Sequence, residues 1–177
     1  MKGTYDPQPF FDQIVTEPIR KATPADVATI LQLIRDLAAY EREPDAVHAT
    51  VESLTATLFG PTPTAEAIVA EHDGAVVGMA LYFTNFSTWS GRDGLYLEDL
   101  YVRPEARGTG LGKALLRHLA QIAVARGCAR VEWSVLDWNT PAIAFYGSLG
   151  AKPMSEWTVH RLDGDALTAF AASGAAG

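Results

Sequence analysis

Residues 102–113 read Val-Arg-Pro-Glu-Ala-Arg-Gly-Thr-Gly-Leu-Gly-Lys, and this stretch decides the fold prediction. It joins a predicted strand over 95–102 to a helix from about Gly110 to Arg126, which is predicted from leucines at helical spacing. Glycines at 108, 110 and 112 permit a turn that exposes consecutive backbone N–H groups, and a helix N-terminus adds partial positive charge. The stretch therefore predicts a phosphate-binding loop.

Two familiar nucleotide loops do not match this stretch. The Walker pattern requires Ser or Thr after its lysine, whereas Lys113 is followed by Ala114. The dinucleotide fingerprint requires the spacing G-x-G-x-x-G on a first strand, whereas here the spacing is G-x-G-x-G late in the chain.

The rest of the chain predicts strands and helices in mixed order. Strands are expected at 18–21, 67–70, 76–83, 95–102, 130–136 and 159–162, and helices from Thr23 to near Tyr40 and at 50–59, 110–126 and 140–148, with a turn at 72–74 and a loop over 84–94. This order predicts an α/β protein with one mixed sheet and helices on both faces. We expect an N-terminal extension at 1–16, a single domain at 17–171 and a flexible tail at 172–177.

Composition and charge narrow the class of protein. The chain has 177 residues and a net charge of −7, and residues 1–96 hold 13 acidic and six basic side chains. That acidic half disfavours nucleic acid, no apolar run is long enough to span a membrane, and the single Cys128 fits the cytoplasm. Residues 103–130 hold six basic side chains and suit a phosphorylated ligand, although Arg117, Arg126 and Arg130 are individually expected to be solvated helix-face charges.

Three segments together resemble one family. Arg107, Gly110 and Gly112 fill the pattern Arg/Gln-x-x-Gly-x-Gly/Ala, and the segments 95–102 (LYLEDLYV) and 137–146 (DWNTPAIAFY) accompany it. Over residues 18–165 the sequence resembles the GNAT superfamily of acyl-CoA-dependent N-acetyltransferases. The resemblance implies a mainly antiparallel sheet, acetyl-CoA as the acetyl donor and no metal. Ala39-Tyr40-Glu41 and Trp89 look most like the diamine acetyltransferase branch, which includes thialysine acetyltransferases.

The resemblance also implies which residues contact acetyl-CoA. These are Leu100, Tyr101, Val102, Arg107, Gly108, Thr109, Gly110, Leu111, Gly112, Lys113, Asn139, Ala142, Phe145 and Tyr146. Asn139 also precedes Thr140-Pro141 and would suit a helix cap. Tyr146 is the candidate general acid, because a phenol with a pKa near ~10 stays protonated and can donate to the leaving sulfur.

Acetylation of an amine requires the neutral amine, and an alkylamine with a pKa near ~10.4 is only about 0.1% neutral at pH 7.4. Glu98 is the candidate base, directly or through a water, because it lies beside Asp99 in an apolar strand. The alternative is an edge carboxylate that pairs with Arg103. Asp99 is expected to bind a substrate ammonium, and a backbone N–H near Tyr101 or Val102 would polarise the thioester carbonyl.

The resemblance implies an acidic and aromatic acceptor site formed by Tyr40, Glu41, Trp89, Glu98, Asp99 and Trp157. Two departures weaken the case for spermidine or spermine. Phe86-Ser87-Thr88 stand where polyamine enzymes place an Asp before this Trp, and Gly147-Ser148-Leu149 replace basic residues. A shorter amine, such as thialysine, a lysine-like amino acid or a small diamine, remains open.

Other interpretations also remain open at this point. Cys128 follows a helix stop in an apolar setting and is not expected to be a nucleophile, and none of the four His residues has metal-ligand spacing. The alternatives to a small-amine acetyltransferase are a non-catalytic acyl-CoA-binding module and an enzyme that acts on a protein or aminoglycoside amine. The resemblance implies a homodimer.

Overall fold

The computed structural model describes residues 18–174, which form two compact units, 18–134 and 135–174. The first contains strands β1 (Ile19–Lys21), β2 (Glu66–His72), β3 (Ala75–Ser87), β4 (Arg92–Val102) and β5 (Val131–Trp133), and helices α1 (Val27–Tyr40), α2 (Val51–Phe59) and α3 (Leu111–Ala125). The second contains helices α4 (Thr140–Ser148) and α5 (Gly164–Ala172). The predicted extension at 1–16 and the last three residues of the predicted tail lie outside the described residues.

The five strands form one sheet in the order β1-β2-β3-β4-β5. Neighbours from β1 to β4 are antiparallel, and β5 is parallel to β4. The hairpin between β2 and β3 turns at Asp73 and Gly74, both of which have positive φ angles. This topology confirms the predicted mixed, mainly antiparallel sheet.

Helices cover both faces of the sheet. Ile30 and Leu33 of α1 pack with Met79, Leu81 and Tyr101 in one hydrophobic cluster. The strand residues between these point to the opposite face, because side chains alternate along a strand. There α3 lies against β2, β3 and β4, and its leucines and isoleucine at 115, 119 and 122 are completely buried. The apolar stripes of the two helices therefore fix both faces of the sheet.

The predicted loop over 84–94 is wrong for most of its length. β3 continues to Ser87 and β4 begins at Arg92, so that only residues 88–91 make the turn. The polar side chains of this stretch favour a loop, but the backbone continues the antiparallel pairing, in which Asn85 pairs with Gly94. A Cβ at Gly94 would lie 2.5 Å from Oδ1 of Asn85, so glycine is needed at this close approach.

The predictions near the C-terminus also need correction. Residues 159–162 are not a strand and are not part of the five-stranded sheet of the described residues. Val159 is 83% exposed, and a β-branched residue alone does not make a strand without a partner backbone. β5 ends at Trp133 and is shorter than the predicted 130–136. Helix α5 has no counterpart among the predicted elements.

A β-bulge interrupts β4 in the middle of the sheet. Leu81 pairs with Asp99, whereas the next residue, Tyr82, pairs with Leu97. Glu98 is therefore an extra residue without a partner in β3, and such a bulge bends a strand and shifts its alternation by one. The regular alternation of sides in an unbroken strand therefore does not apply to the adjacent Glu98 and Asp99.

Two of the basic side chains pair with carboxylates. Arg126 makes two hydrogen bonds of 2.6 and 2.7 Å to the carboxylate of Glu66, so the expectation of a solvated charge is wrong for it. Arg130 lies 2.7 Å from an oxygen of Glu132. It is exposed, as expected, but it lies after α3 rather than on a helix face. Among residues 18–174, no helix is long and apolar enough to cross a bilayer.

Candidate functional site

The glycine-rich loop has the local geometry that the sequence predicts. After the short 3₁₀ turn Pro104–Ala106, Gly108 and Gly110 adopt φ angles of +77° and +88°, which favour glycine. Thr109 braces the loop by donating from Oγ1 to the carbonyl of Ala106 at 2.7 Å. Helix α3 then begins at Leu111, and its first backbone N–H groups have no carbonyl one turn earlier to accept them.

The space in front of this loop is open. A Cβ built at Gly108, Gly110 or Gly112 would meet no protein atom within 4 Å, so side chains there would occupy that space themselves. A groove of about 350 Å³ lies against the loop and is lined by Pro18, Thr109, Gly110, Leu111, Lys113, Ala114 and Arg117. The loop, the helix N-terminus and the two cations fit a phosphate-bearing ligand. Arg117 is not among the residues predicted to contact the donor, although it lies one helical turn after Lys113.

The edge of β4 changes character at the bulge. β5 pairs with β4 only from Leu95 to Leu97, so the backbone of residues 99–102 pairs with β3 alone in the sheet of the described residues. Alternate N–H and C=O groups of this stretch point away from β3, because a strand directs them to both sides. Leu100, Tyr101 and Val102 therefore present an edge that an extended amide-containing ligand can join by hydrogen bonds.

Acidic side chains gather on the sheet face that α1 covers. Asp99 pairs with Leu81, which belongs to the α1 cluster, and is half-buried. The pKa of Asp99 is raised to about 6, chiefly by burial and then by the negative charges of Glu98 and Glu41. Burial also raises the pKa of Glu41, which caps the C-terminus of α1. We call Glu41, Glu98, Asp99 and the adjoining Tyr40 the acidic face.

Arg107 lies beside the acidic face. Its guanidinium carbon is 5.2 Å from the centre of the Tyr40 ring and 5.5 Å from that of the Tyr101 ring. Its Nε donates to the carbonyl of Val102 at 3.0 Å. This arrangement could not be predicted from the sequence, because Tyr40 lies far from Arg107 along the chain.

Trp89 is not brought to the acidic face within the chain. It lies in the turn between β3 and β4 and is 88% exposed. Leu81, opposite Asp99, is six residues before Ser87, the last residue of β3. Six strand residues span roughly 20 Å, so this tryptophan lies well beyond contact with Asp99.

The remaining predicted site residues lie in the second unit. Asn139 accepts a hydrogen bond from the Ala142 backbone N–H through Oδ1 at 3.4 Å, so it occupies the cap position of α4. Phe145 and Tyr146 follow on the same helix, with ring centres 5.5 Å apart. Trp157 lies after α4 and is 64% exposed.

Two further predictions concern reactive or metal-binding groups. Burial raises the pKa of the Cys128 thiol, which disfavours the thiolate that a nucleophile needs. Among residues 18–174, no group of three or more His, Cys, Asp or Glu side chains is placed to hold a metal ion.

Comparison with known proteins supplies a family. The profile of the acetyltransferase (GNAT) family matches residues 30–151. The chain is 42% identical to thialysine N-epsilon-acetyltransferase of Bos taurus, over 86% of this chain and 96% of that protein. It is 34% identical to L-ornithine N5-acetyltransferase of Arabidopsis thaliana, over 86% of each chain.

A solved structure has the same fold. An integron cassette protein from Vibrio cholerae superposes with a TM-score of 0.74 and 29% sequence identity, over 88% of this chain and 97% of that chain. The likeness extends over nearly the whole described part of the chain.

Proposed function

The chain belongs to the GNAT family of acetyltransferases and is an acyltransferase enzyme, and on this premise we propose that it acetylates a primary amine of a small cationic acceptor. The family uses acetyl-CoA, whose thioester supplies an activated acetyl group. The observation that carries the proposal is the pairing of a phosphate-binding loop that follows β4 with an acidic face at Glu98 and Asp99 of the same strand.

The donor side of the site is assigned to the loop and the β4 edge. Backbone N–H groups from Gly108 to Lys113 hold the pyrophosphate, and Lys113 and Arg117 add positive charge along the groove. The free edge of residues 99–102 takes up the extended pantetheine arm. We assign the polarisation of the thioester carbonyl to a backbone N–H near Tyr101 or Val102. The proposed donor contacts also include Asn139, Ala142 and Phe145, on the resemblance of their segment to the family.

The acceptor side is assigned to the acidic face. Glu41 and Asp99 attract an ammonium group, while Glu98, exposed at the bulge, accepts the amine's proton directly or through a water. The neutral amine attacks the carbonyl carbon, and the carbon–sulfur bond breaks as Tyr146 donates its proton to the departing sulfur. The nitrogen then loses its extra proton to solvent as the amide forms, and the Tyr146 phenolate takes a proton from solvent. The proposed acceptor wall also contains Tyr40, Trp89 and Trp157. The fold of a single chain supports Trp89 least, because this residue lies far from Asp99.

The acceptor is proposed to be shorter than spermidine. Serine and threonine precede Trp89 where polyamine enzymes carry an acidic residue, so fewer carboxylates are available for a distant second ammonium. The named relatives act on thialysine and ornithine, which are amino acids with a terminal amine. We further propose a cytoplasmic homodimer.

The direct test is release of free thiol from acetyl-CoA in the presence of a panel of amines. The panel contains thialysine, lysine, ornithine, putrescine, spermidine, an aminoglycoside and a lysine peptide. We expect the highest kcat/KM with a short diamine or a diamino acid. Binding of acetyl-CoA without turnover of any amine would instead identify a non-catalytic acyl-CoA-binding module, and preference for the peptide or aminoglycoside would contradict the proposed acceptor.

Asp99→Asn is expected to change the pH dependence of amine use. In the wild type, Asp99 gains a proton below about pH 6 and ceases to attract the ammonium, so the ratio of wild-type to variant kcat/KM should rise as pH increases through about 6. The ratio cancels the ionisation of the amine itself, which affects both enzymes equally. A ratio independent of pH would remove Asp99 from the acceptor site.

The same change should stabilise the fold above pH 6. A folded-state pKa of about 6 against an ordinary 3.8 means that the folded chain binds the proton more tightly, so stability is lost as pH rises between these values. The shift corresponds to at most about 3 kcal/mol at neutral pH. Urea unfolding at pH 8 should show the gain in Asp99→Asn and not in Asp45→Asn, which alters an exposed loop.

A further inference from the structure

We infer that Arg107 is a positioning residue that links the donor loop to the acidic face, so that binding of acetyl-CoA orders the acceptor site. The inference deepens the proposed function and rests on it, because it takes the acidic face as the place where the amine binds. It differs from a donor contact alone, which the motif would assign to this arginine.

The geometry places one side chain between two parts of the site. Arg107 immediately precedes Gly108 of the loop, and its Nε holds the carbonyl of Val102 at the end of β4. Its guanidinium lies near the rings of both Tyr40 and Tyr101. A shift of the loop on binding a phosphate therefore acts on both rings through one group.

Tyr40 connects this group to the carboxylates. It is the last residue of α1 and is followed by Glu41, whose charge acts on Asp99. Tyr101 follows Asp99 by two residues on the same strand, and its pKa is raised by burial while Arg107 opposes that rise. The segment after α1 is exposed from residue 42 to 46, although backbone hydrogen bonds join Glu43 to Ala38 and Ala46 to Glu43. Arg107 is thus placed to fix the position of Glu41 relative to Asp99.

The size of the effect follows from the nature of the contact. A cation over an aromatic ring changes an equilibrium by about two- to fivefold where it is exposed, as Arg107 is, and here two rings are involved. Loss of the cation should therefore change acceptor binding by about five- to twenty-fold, at roughly 1.4 kcal/mol per tenfold.

The first experiment measures both substrates in Arg107→Gln. Glutamine, which the family motif allows at this position, keeps a hydrogen-bond donor but removes the cation. We expect the KM for the best amine to rise about five- to twenty-fold, by a larger factor than any rise in the Kd for acetyl-CoA measured by calorimetry. The matched control, Arg35→Gln, removes an exposed arginine from α1, the helix that ends at Tyr40. It should change neither the amine KM nor the Kd for acetyl-CoA. Equal weakening of both substrates would overturn the inference.

A double-mutant cycle tests whether Arg107 acts through Tyr40. Tyr40→Leu should raise the amine KM in the wild-type background and add less than twofold in the Arg107→Gln background, because the partner is already lost. Fully additive effects would contradict the link. If the glutamine variant does not fold, Arg107→Lys replaces it, since lysine keeps the charge without the planar stacking group and should give a smaller loss.

Hydrogen exchange provides a readout that does not depend on turnover. Acetyl-CoA should slow exchange of the hydrogen-bonded amides of Glu41, Glu43 and Ala46 in the wild type, and this protection should disappear in Arg107→Gln even at saturating ligand. Absence of protection in the wild type would overturn the inference. If the wild type acetylates no amine yet shows the protection, the proposed function fails while the link itself stands.

Discussion

Replacing Tyr146 with Phe is expected to lower kcat by roughly 10–10³-fold, because the departing sulfur would lose its proton donor. The ring is retained, so the contact with Phe145 and the affinity for acetyl-CoA should change little. The measurement is kcat by thiol release over pH 6–9, together with the Kd for acetyl-CoA by calorimetry. The decrease should be largest where the wild-type phenol is fully protonated.

The control for this experiment is Tyr82→Phe. It removes a hydroxyl from a buried tyrosine on the α3 face of the sheet, where the oxygen lies 3.5 Å from Glu66. Turnover should stay within about twofold of the wild type. An unchanged kcat in Tyr146→Phe would show that another group or water protonates the sulfur.

Gly108→Ala should weaken binding of acetyl-CoA by about ten- to a hundred-fold. The new methyl group would enter the open space before the loop and displace the phosphate from the backbone N–H groups. The backbone also pays a penalty, because a side chain at a positive φ is disfavoured by roughly 1–2 kcal/mol. Calorimetry of ligand binding and urea unfolding of the free enzyme separate these two effects.

Gly74 provides a closely matched control. Its φ of +76° is almost that of Gly108, and a Cβ there also meets no atom within 4 Å, but it lies in the turn between β2 and β3. Gly74→Ala should therefore lower stability by a similar amount and leave the Kd for acetyl-CoA unchanged. If both variants lose affinity equally, strain rather than the phosphate site explains the loss.

The order of the elements and the loop could be predicted because their signals are local. Three glycines in five residues, a preceding apolar strand and leucines at helical spacing identify the strand–loop–helix unit without any tertiary information. The stripes of α1 and α3 likewise identify the helices on the two faces. Each signal survives in the structure because tertiary packing uses the same apolar residues that define the pattern.

The features that could not be predicted depend on partners distant along the chain. Asn85 lies in a polar stretch, yet Gly94 allows it to continue a strand. Conversely, 159–162 is a predicted strand but is not part of the sheet of the described residues. Arg107 matches a motif for the donor, and only the fold places Tyr40 beside its guanidinium.

Because of the bulge, mutations at Glu98 affect the pairing of β4 differently from mutations at the neighbouring residues. Substitutions there leave the register of β4 with β3 unchanged, because the residue has no partner in β3. Deletion of Glu98 would join Leu97 directly to Asp99, and both flanks would keep their partners in β3 and their faces of the sheet. Such a deletion would therefore remove the carboxylate of Glu98 and the local bend of β4 while leaving the other β4 side chains in place.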